Sequence, residues 1–190
     1  MKKVITRFAP SPTGTLHIGG VRTALFNFVY AKKYDGLFLV RIEDTDRARS
    51  TKEFEKNILD SLHSIGLSPD LEPINQSERN DVYNSAAQKI IDSKQAYYCE
   101  CSVERLDKMR SDQQANGEKP QYDGRCRDLN LDKSDRRVLR LKTPLDGQIV
   151  VKDFVRGDVV FNNAELDDLI ILRGDGSPTY HLCNVVDDYE

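Results

Sequence analysis

The sequence contains no tryptophan, only two methionines and three histidines, and four cysteines. Nowhere does it hold an apolar run close to the ~20 residues that a membrane-spanning helix needs. The segment from Met1 to Arg7 has no apolar stretch of the leader type, so no secretory signal is predicted. Charge of one sign is not in excess either. Lys and Arg number 28 against 31 Asp and Glu, a net charge of -3. That balance excludes a generally basic protein that coats nucleic acid, but leaves room for RNA bound at a local basic patch. Hydrophobic residues at 38% and charged residues at 31% describe a globular chain with enough apolar side chains for a core. Three of the four cysteines, Cys99, Cys101 and Cys126, fall close together, and Cys183 stands apart. In a reducing cytoplasm, the expected compartment, clustered thiols point to a metal before a disulfide.

The first third of the chain follows a strand-helix-strand-helix order. Val4 to Phe8 reads as a short strand closed by Pro10 and Pro12, since proline disfavours helix at its own position and the one before. From Gly20 a helix is predicted, with Val21, Leu25, Phe28 and Val29 forming one apolar face. Gly36 stops it. Leu37 to Val40 reads as a buried strand, and Ser50 with Glu53 as a capping box. The next helix carries Phe54, Ile58, Leu59, Leu62 and Ile65 on one side. This order predicts a parallel sheet covered by helices. After a loop over Gly66 to Pro73 and a helix over Val82 to Ile91, the character changes. A charged helix near Val103 to Gln114 and short alternating strands at Arg137–Leu141, Ile149–Phe154 and Asp158–Phe161 predict a separate antiparallel α+β unit. Ile170 to Leu172 and the turn at Gly174 to Gly176 lead toward Tyr180.

The segment from Arg7 to Gly20, RFAPSPTGTLHIGG, concentrates the chemistry. It is a strand, a proline-stiffened loop, and glycines at a helix start. Glycine lets a ligand approach the backbone, and the unpaired N–H groups of a helix N-terminus favour an anion. The segment is neither GxGxxG nor GxxxxGK[ST], so neither of those nucleotide motifs applies. Taken alone, it is equally an ordinary strand-to-helix loop with an exposed histidine.

The segment resembles the signature of class I aminoacyl-tRNA synthetases, whose HIGH motif reads here His17-Ile18-Gly19-Gly20. The surrounding residues resemble the glutamate branch, the glutamyl-tRNA synthetases of bacterial type. The matching pieces are Arg7–Gly14, Gly19–Asn27, Arg41–Arg47 (RIEDTDR), Tyr122–Arg127 (YDGRCR), Asn163–Asp168 and Pro178–Asp188, so the resemblance runs through nearly the whole chain. It implies a Rossmann-type nucleotide-binding parallel sheet with an inserted α+β acceptor-binding subdomain. The expected division is residues 1–80 as the first half of the Rossmann domain, 81–174 as the insertion, and 175–190 as the start of the second half. It also implies ligation of L-glutamate to tRNA(Glu) through a glutamyl-adenylate, with ATP and Mg²⁺, in a cytoplasmic enzyme expected to be a monomer when full length.

Residue roles follow from the same resemblance. Thr15, His17, Gly19 and Gly20 match the ATP-binding motif, where an imidazole donor would stabilise charge growing on the α-phosphate. Arg7, Ala9, Ser11 and Glu43 match the glutamate pocket, joined by Tyr180 and Asn184. A cation is suited to a substrate carboxylate, and Glu43 to its ammonium. Asp44 and Arg47 are implied to lie near the tRNA acceptor end. Arg105, Lys108, Arg110, Lys119, Arg125 and Arg127 in the insertion are basic residues able to meet tRNA phosphates. Cys99, Cys101 and Cys126 resemble the zinc site of some members, with Asp128 standing where the pattern has histidine. Cys183 reads as a small core residue.

A KMSKS-type loop, which the family uses on ATP phosphates, is not found up to Glu190. The chain is therefore expected to be an N-terminal portion, inactive by itself. Two other readings remain. One is the shorter paralogue that attaches glutamate to queuosine in tRNA, and the other a non-catalytic tRNA- or glutamate-binding fragment.

Overall fold

The computed structural model describes residues 3–190, so the leader reading rests in part on residues 1 and 2, which lie outside the described range. The chain divides into two units at residues 80 and 81.

In the first unit the strands β1 (Ile5–Phe8), β2 (Leu37–Ile42) and β3 (Ile74–Asn75) form one sheet in the order β1-β2-β3. Both pairings are parallel, with Ile5 opposite Leu37 and Arg41 opposite Ile74. The expected parallel sheet is therefore present, and it gains a third, two-residue strand in what reads from sequence as the end of a loop. Central strands of such sheets are covered on both faces and read as continuous apolar runs. LFLVRI of β2 is such a run, and Phe38, Val40 and Ile42 are almost fully buried.

Helices α1 (Ile18–Lys33) and α2 (Lys52–Ser64) supply the rest of this core. The apolar face expected on α1 is shifted. Ala24 and Ala31 are completely buried and Phe28 packs beside them, whereas Leu25 and Val29 are about half exposed. Positions 24, 28 and 31 keep helical spacing, and small alanines let the helix axis approach the sheet. Phe28 meets Phe38 edge to face at 5.6 Å between ring centroids. On α2 the buried side chains are Ile58 and Leu62, while Ile65, just beyond the helix, is half exposed. The cap of α2 is Thr51 rather than Ser50, its hydroxyl accepting from the Phe54 N–H at 3.1 Å.

The second unit holds α3 (Asn80–Asp92), β4 (Ala96–Cys99), α4 (Val103–Ala115), β5 (Val138–Leu141), β6 (Gln148–Asp153), β7 (Gly157–Asn162), β8 (Ile170–Leu172) and α5 (Tyr180–Tyr189). β4, β5 and β8 form an antiparallel sheet, and β6 with β7 a two-stranded ribbon. Tyr83 and Ala87 of α3, Leu139, Ile171, and Leu182 and Cys183 of α5 form its main core, which places Cys183 in the interior as expected. A smaller cluster joins Tyr97, Cys99, Tyr122 and Cys126.

Candidate functional site

The loop between β1 and α1 is held from beneath by backbone bonds. The Glu43 N–H donates to the Pro10 carbonyl at 2.9 Å, and the Thr51 N–H to the Pro12 carbonyl at 3.1 Å. Pro12 is fully buried. The proline-rich segment is thus tied to the segment that follows β2, and Ser11 and Thr15 are left exposed.

His17 is the N-cap of α1. Its Nδ1 accepts from the Gly19 N–H at 3.1 Å. An acceptor at Nδ1 in a neutral imidazole puts the ring proton on Nε2. The side chain is exposed, so Nε2–H is a donor at the surface. The first turn of α1 contains no acidic residue, unlike the first turns of α2, α3 and α4. The unpaired N–H groups there face no competing carboxylate of their own turn. Gly19 and Gly20 have a local reason to be glycine. A Cβ on Gly19 would lie 2.9 Å from the His17 ring, and one on Gly20 2.8 Å from Leu16 Cδ1. The loop's own side chains fill the space that the absent Cβ atoms leave.

Glu43 is buried and accepts from Arg41 Nη2 at 3.0 Å, with both side chains 7% exposed. Arg41 was not singled out by sequence reasoning, although it opens the RIEDTDR segment. Arg7 lies on β1, beside the loop, and Ala9 follows it; both are part-buried. Asp44 is buried, and its carboxylate accepts from the Ser77 N–H at 2.8 Å and the Ser77 hydroxyl at 2.6 Å. Its acceptor capacity is used in holding the turn after β3, which differs from the tRNA-facing place expected for it. Arg47 is exposed on the following turn.

In the second unit, Tyr180 and Asn184 stand one turn apart on α5, and the Asn184 amide donates to the Tyr180 hydroxyl at 3.0 Å. Among the basic residues, Arg127 has a structural task. It donates to both oxygens of buried Asp168 at 2.8 Å, and to the Thr143 carbonyl. Asp168 also accepts from the Tyr97 hydroxyl and the Thr143 N–H. Arg127 is thereby withdrawn from the set expected to meet phosphate.

The three thiols come together. Their sulfurs lie within 4.8 Å of one another, and Cys101 Sγ is 3.6 Å from Cys126 Sγ. Asp128 does not join them; it pairs with Lys142 at 3.1 Å and is almost fully exposed. The nearest oxygen is instead the Tyr122 hydroxyl, 3.3 Å from Cys99 Sγ and 3.5 Å from Cys101 Sγ. Tyr122 lies four residues before Cys126 in YDGRCR, the one sequence signal for it. Burial pushes the Cys101 thiol up to about 11. Burial also opposes ionisation of Cys99, but hydrogen bonds from Tyr122, the Cys101 backbone and Arg140 outweigh it and hold that thiol below its ordinary value. The Arg140 guanidinium lies 3.9 Å over the Tyr122 ring.

Against known proteins, the profile of the family described as tRNA synthetases class I (E and Q), catalytic domain, matches residues 3–190. Among curated relatives, glutamate–tRNA ligase 2 of Halorhodospira halophila is 53% identical over all of this chain and 41% of its own length. Glutamate–tRNA ligase 1 of Alkalilimnicola ehrlichii is 54% identical, with the same coverage. The solved glutamate–tRNA synthetase of Elizabethkingia anophelis superposes with a TM-score of 0.88 at 38% identity, over 99% of this chain and 42% of that one. The chain thus spans about two fifths of the length of these relatives. It belongs to the family of class I (E and Q) tRNA synthetase catalytic domains.

Proposed function

We propose that the protein carrying this chain ligates L-glutamate to tRNA(Glu) through an ATP-derived glutamyl-adenylate. The observation that carries this reading is His17, a cap whose Nδ1 is engaged by Gly19 and whose Nε2–H stays exposed at an acid-free helix start. A donor fixed in that way stabilises charge on the α-phosphate without reorganising during attack by the glutamate carboxylate. In this reading Thr15, Gly19 and Gly20 line the ATP side, with Mg²⁺ accompanying the nucleotide. Arg7, Ala9, Ser11, Glu43, Tyr180 and Asn184 receive glutamate, Arg7 through a carboxylate and Glu43 through the ammonium. Residues 81–174 form the acceptor-binding insertion between the two Rossmann segments. The full-length enzyme acts as a monomer in the cytoplasm. The relatives named as glutamate–tRNA ligases favour this over the queuosine-directed paralogue. The test is charging of purified tRNA with labelled glutamate by the full-length protein. Label on the 3′-end of tRNA(Glu) is expected, and label confined to a modified anticodon base would contradict it.

A second proposal concerns zinc. Cys99, Cys101 and Cys126 would hold one ion as thiolates, the donor type suited to structural zinc. The fourth position falls to the Tyr122 oxygen rather than to Asp128, on the distances above. Zinc would act by bracing the segment around Tyr122 and Cys126.

A further inference from the structure

A cleft of about 670 Å³ opens beside the thiol group, lined by Arg105, Arg125, Arg136 and Arg137. These arginines come from three separate stretches of sequence, so the fold and not a basic run assembles them. Two carboxylates answer the four guanidinium groups. Asp123 pairs with Arg105, and Glu100 accepts from Arg137 Nη2 at 2.7 Å. Among the described residues, neither Arg125 nor Arg136 has a side-chain hydrogen bond or ion pair, and both are exposed. Four positive charges against two negative ones, in a chain whose net charge is -3, form a local excess that repels cations and calls for an anion. The planar donor fork of arginine matches phosphate oxygens, and an open cleft of this size admits a backbone segment.

We propose that this cleft is a phosphate site for the RNA backbone, with Arg125 and Arg136 as its phosphate-contacting residues and with Arg105 and Arg137 held in place by their carboxylate partners. The proposal rests on the tRNA-ligase reading and adds to it the place of contact. Arg127 lies outside the site, since Asp168 holds it.

The test uses the full-length protein and unmodified tRNA(Glu), with the dissociation constant followed from low to high salt. Each phosphate contact contributes about 0.7–0.9 to the log–log salt slope. Arg125→Gln with Arg136→Gln is expected to make the slope shallower by about 1.5 and to weaken binding roughly tenfold. KM for glutamate and ATP, zinc content and the melting midpoint stay unchanged, which separates a lost phosphate contact from a disturbed thiol group beside Arg125. Arg125→Lys with Arg136→Lys keeps most of the slope. Lys89→Gln with Arg156→Gln, which removes equal charge elsewhere, changes neither slope nor affinity. An unaltered slope and affinity in the Gln pair would overturn the proposal while leaving the ligase reading standing. Failure of the unmutated protein to bind tRNA at all would overturn both. Inorganic phosphate that binds in an Arg125- and Arg136-dependent way, with tRNA binding indifferent to the pair, would assign the cleft to a free anion and overturn the RNA assignment.

Discussion

Arg41 and Glu43 show how one carboxylate can serve both fold and substrate. A carboxylate that is 7% exposed is costly unless a cation stands beside it, and Arg41 supplies that cation at 3.0 Å. The pair fixes where the Glu43 oxygens sit before any ammonium arrives. Arg7, by contrast, is assigned to the substrate carboxylate. Arg7→Ala in the full-length enzyme is expected to raise KM for glutamate by the equivalent of about 2–4 kcal/mol, the usual cost of losing a charge-assisted contact in a shielded site. An unchanged KM would remove Arg7 from the pocket. The thiol group gives a second residue-scale expectation. Chelator-free protein should carry one zinc, and Tyr122→Phe should weaken its retention against a competing chelator by about tenfold, in line with the loss of a supporting oxygen. Three freely titrating thiols and no zinc would show that these cysteines pack only as apolar side chains.

Helices and strands that hold long periodic patterns were legible in the sequence, and their edges were not. β1, α1, β2 and α2 follow from proline and glycine punctuation and from apolar spacing. The buried face of α1 escaped because its innermost residues, Ala24 and Ala31, are small and stand out less than Leu25 and Val29. β3 escaped because two residues carry no period, and it exists through its pairing with Arg41 and Ile42. β4 is a four-residue strand whose partners lie some forty residues away, beyond any local signal. In the candidate site, His17 and the glycines were legible as a motif. The inward turn of Asp44, the capture of Arg127 by Asp168 and the approach of Tyr122 to the sulfurs depend on contacts far apart in sequence. Two expectations belong to this scale. A Cβ at Gly36 would come within 2.3 Å of the Val4 carbonyl oxygen, a backbone atom that cannot swing aside. Gly36→Ala is therefore expected to destabilise the first unit by about 1–3 kcal/mol, readable in urea unfolding. A melting point equal to that of the parent would mean that β1 shifts freely. Arg127→Ala would leave Asp168 buried beside Tyr97 without its cation, a change that costs about 3–5 kcal/mol for a buried pair. A loss below 1 kcal/mol would show that water replaces Arg127.

At the scale of the molecule, the chain joins an adenylate-forming motif in its first unit to a thiol-bearing, arginine-lined second unit, and it covers about 41% of the relatives it matches. Stability of the first unit should depend on acid in a defined direction. The Asp70 carboxyl is held below its ordinary value, chiefly by Lys32 at 2.5 Å and then by the Phe38 N–H. A depressed carboxylate adds stability above its unfolded value near pH 4, and loses it as pH falls through the lower folded value. Asp70→Asn should therefore flatten the acid limb of the unfolding profile while changing neutral stability by about 1 kcal/mol or less, since the pair is partly solvated. An acid limb identical to the parent's would place its origin elsewhere. The most direct measurement is ATP–pyrophosphate exchange by the full-length protein with glutamate, Mg²⁺ and tRNA(Glu), compared between the parent and His17→Ala. Exchange is expected to depend on glutamate and to fall by about 10²–10³ in the variant, with KM for glutamate nearly unchanged, as for the loss of one donor to a charged transition state. Exchange at the parental rate in His17→Ala, or exchange driven equally by another amino acid, would contradict the assignment of this site to glutamyl-adenylate formation.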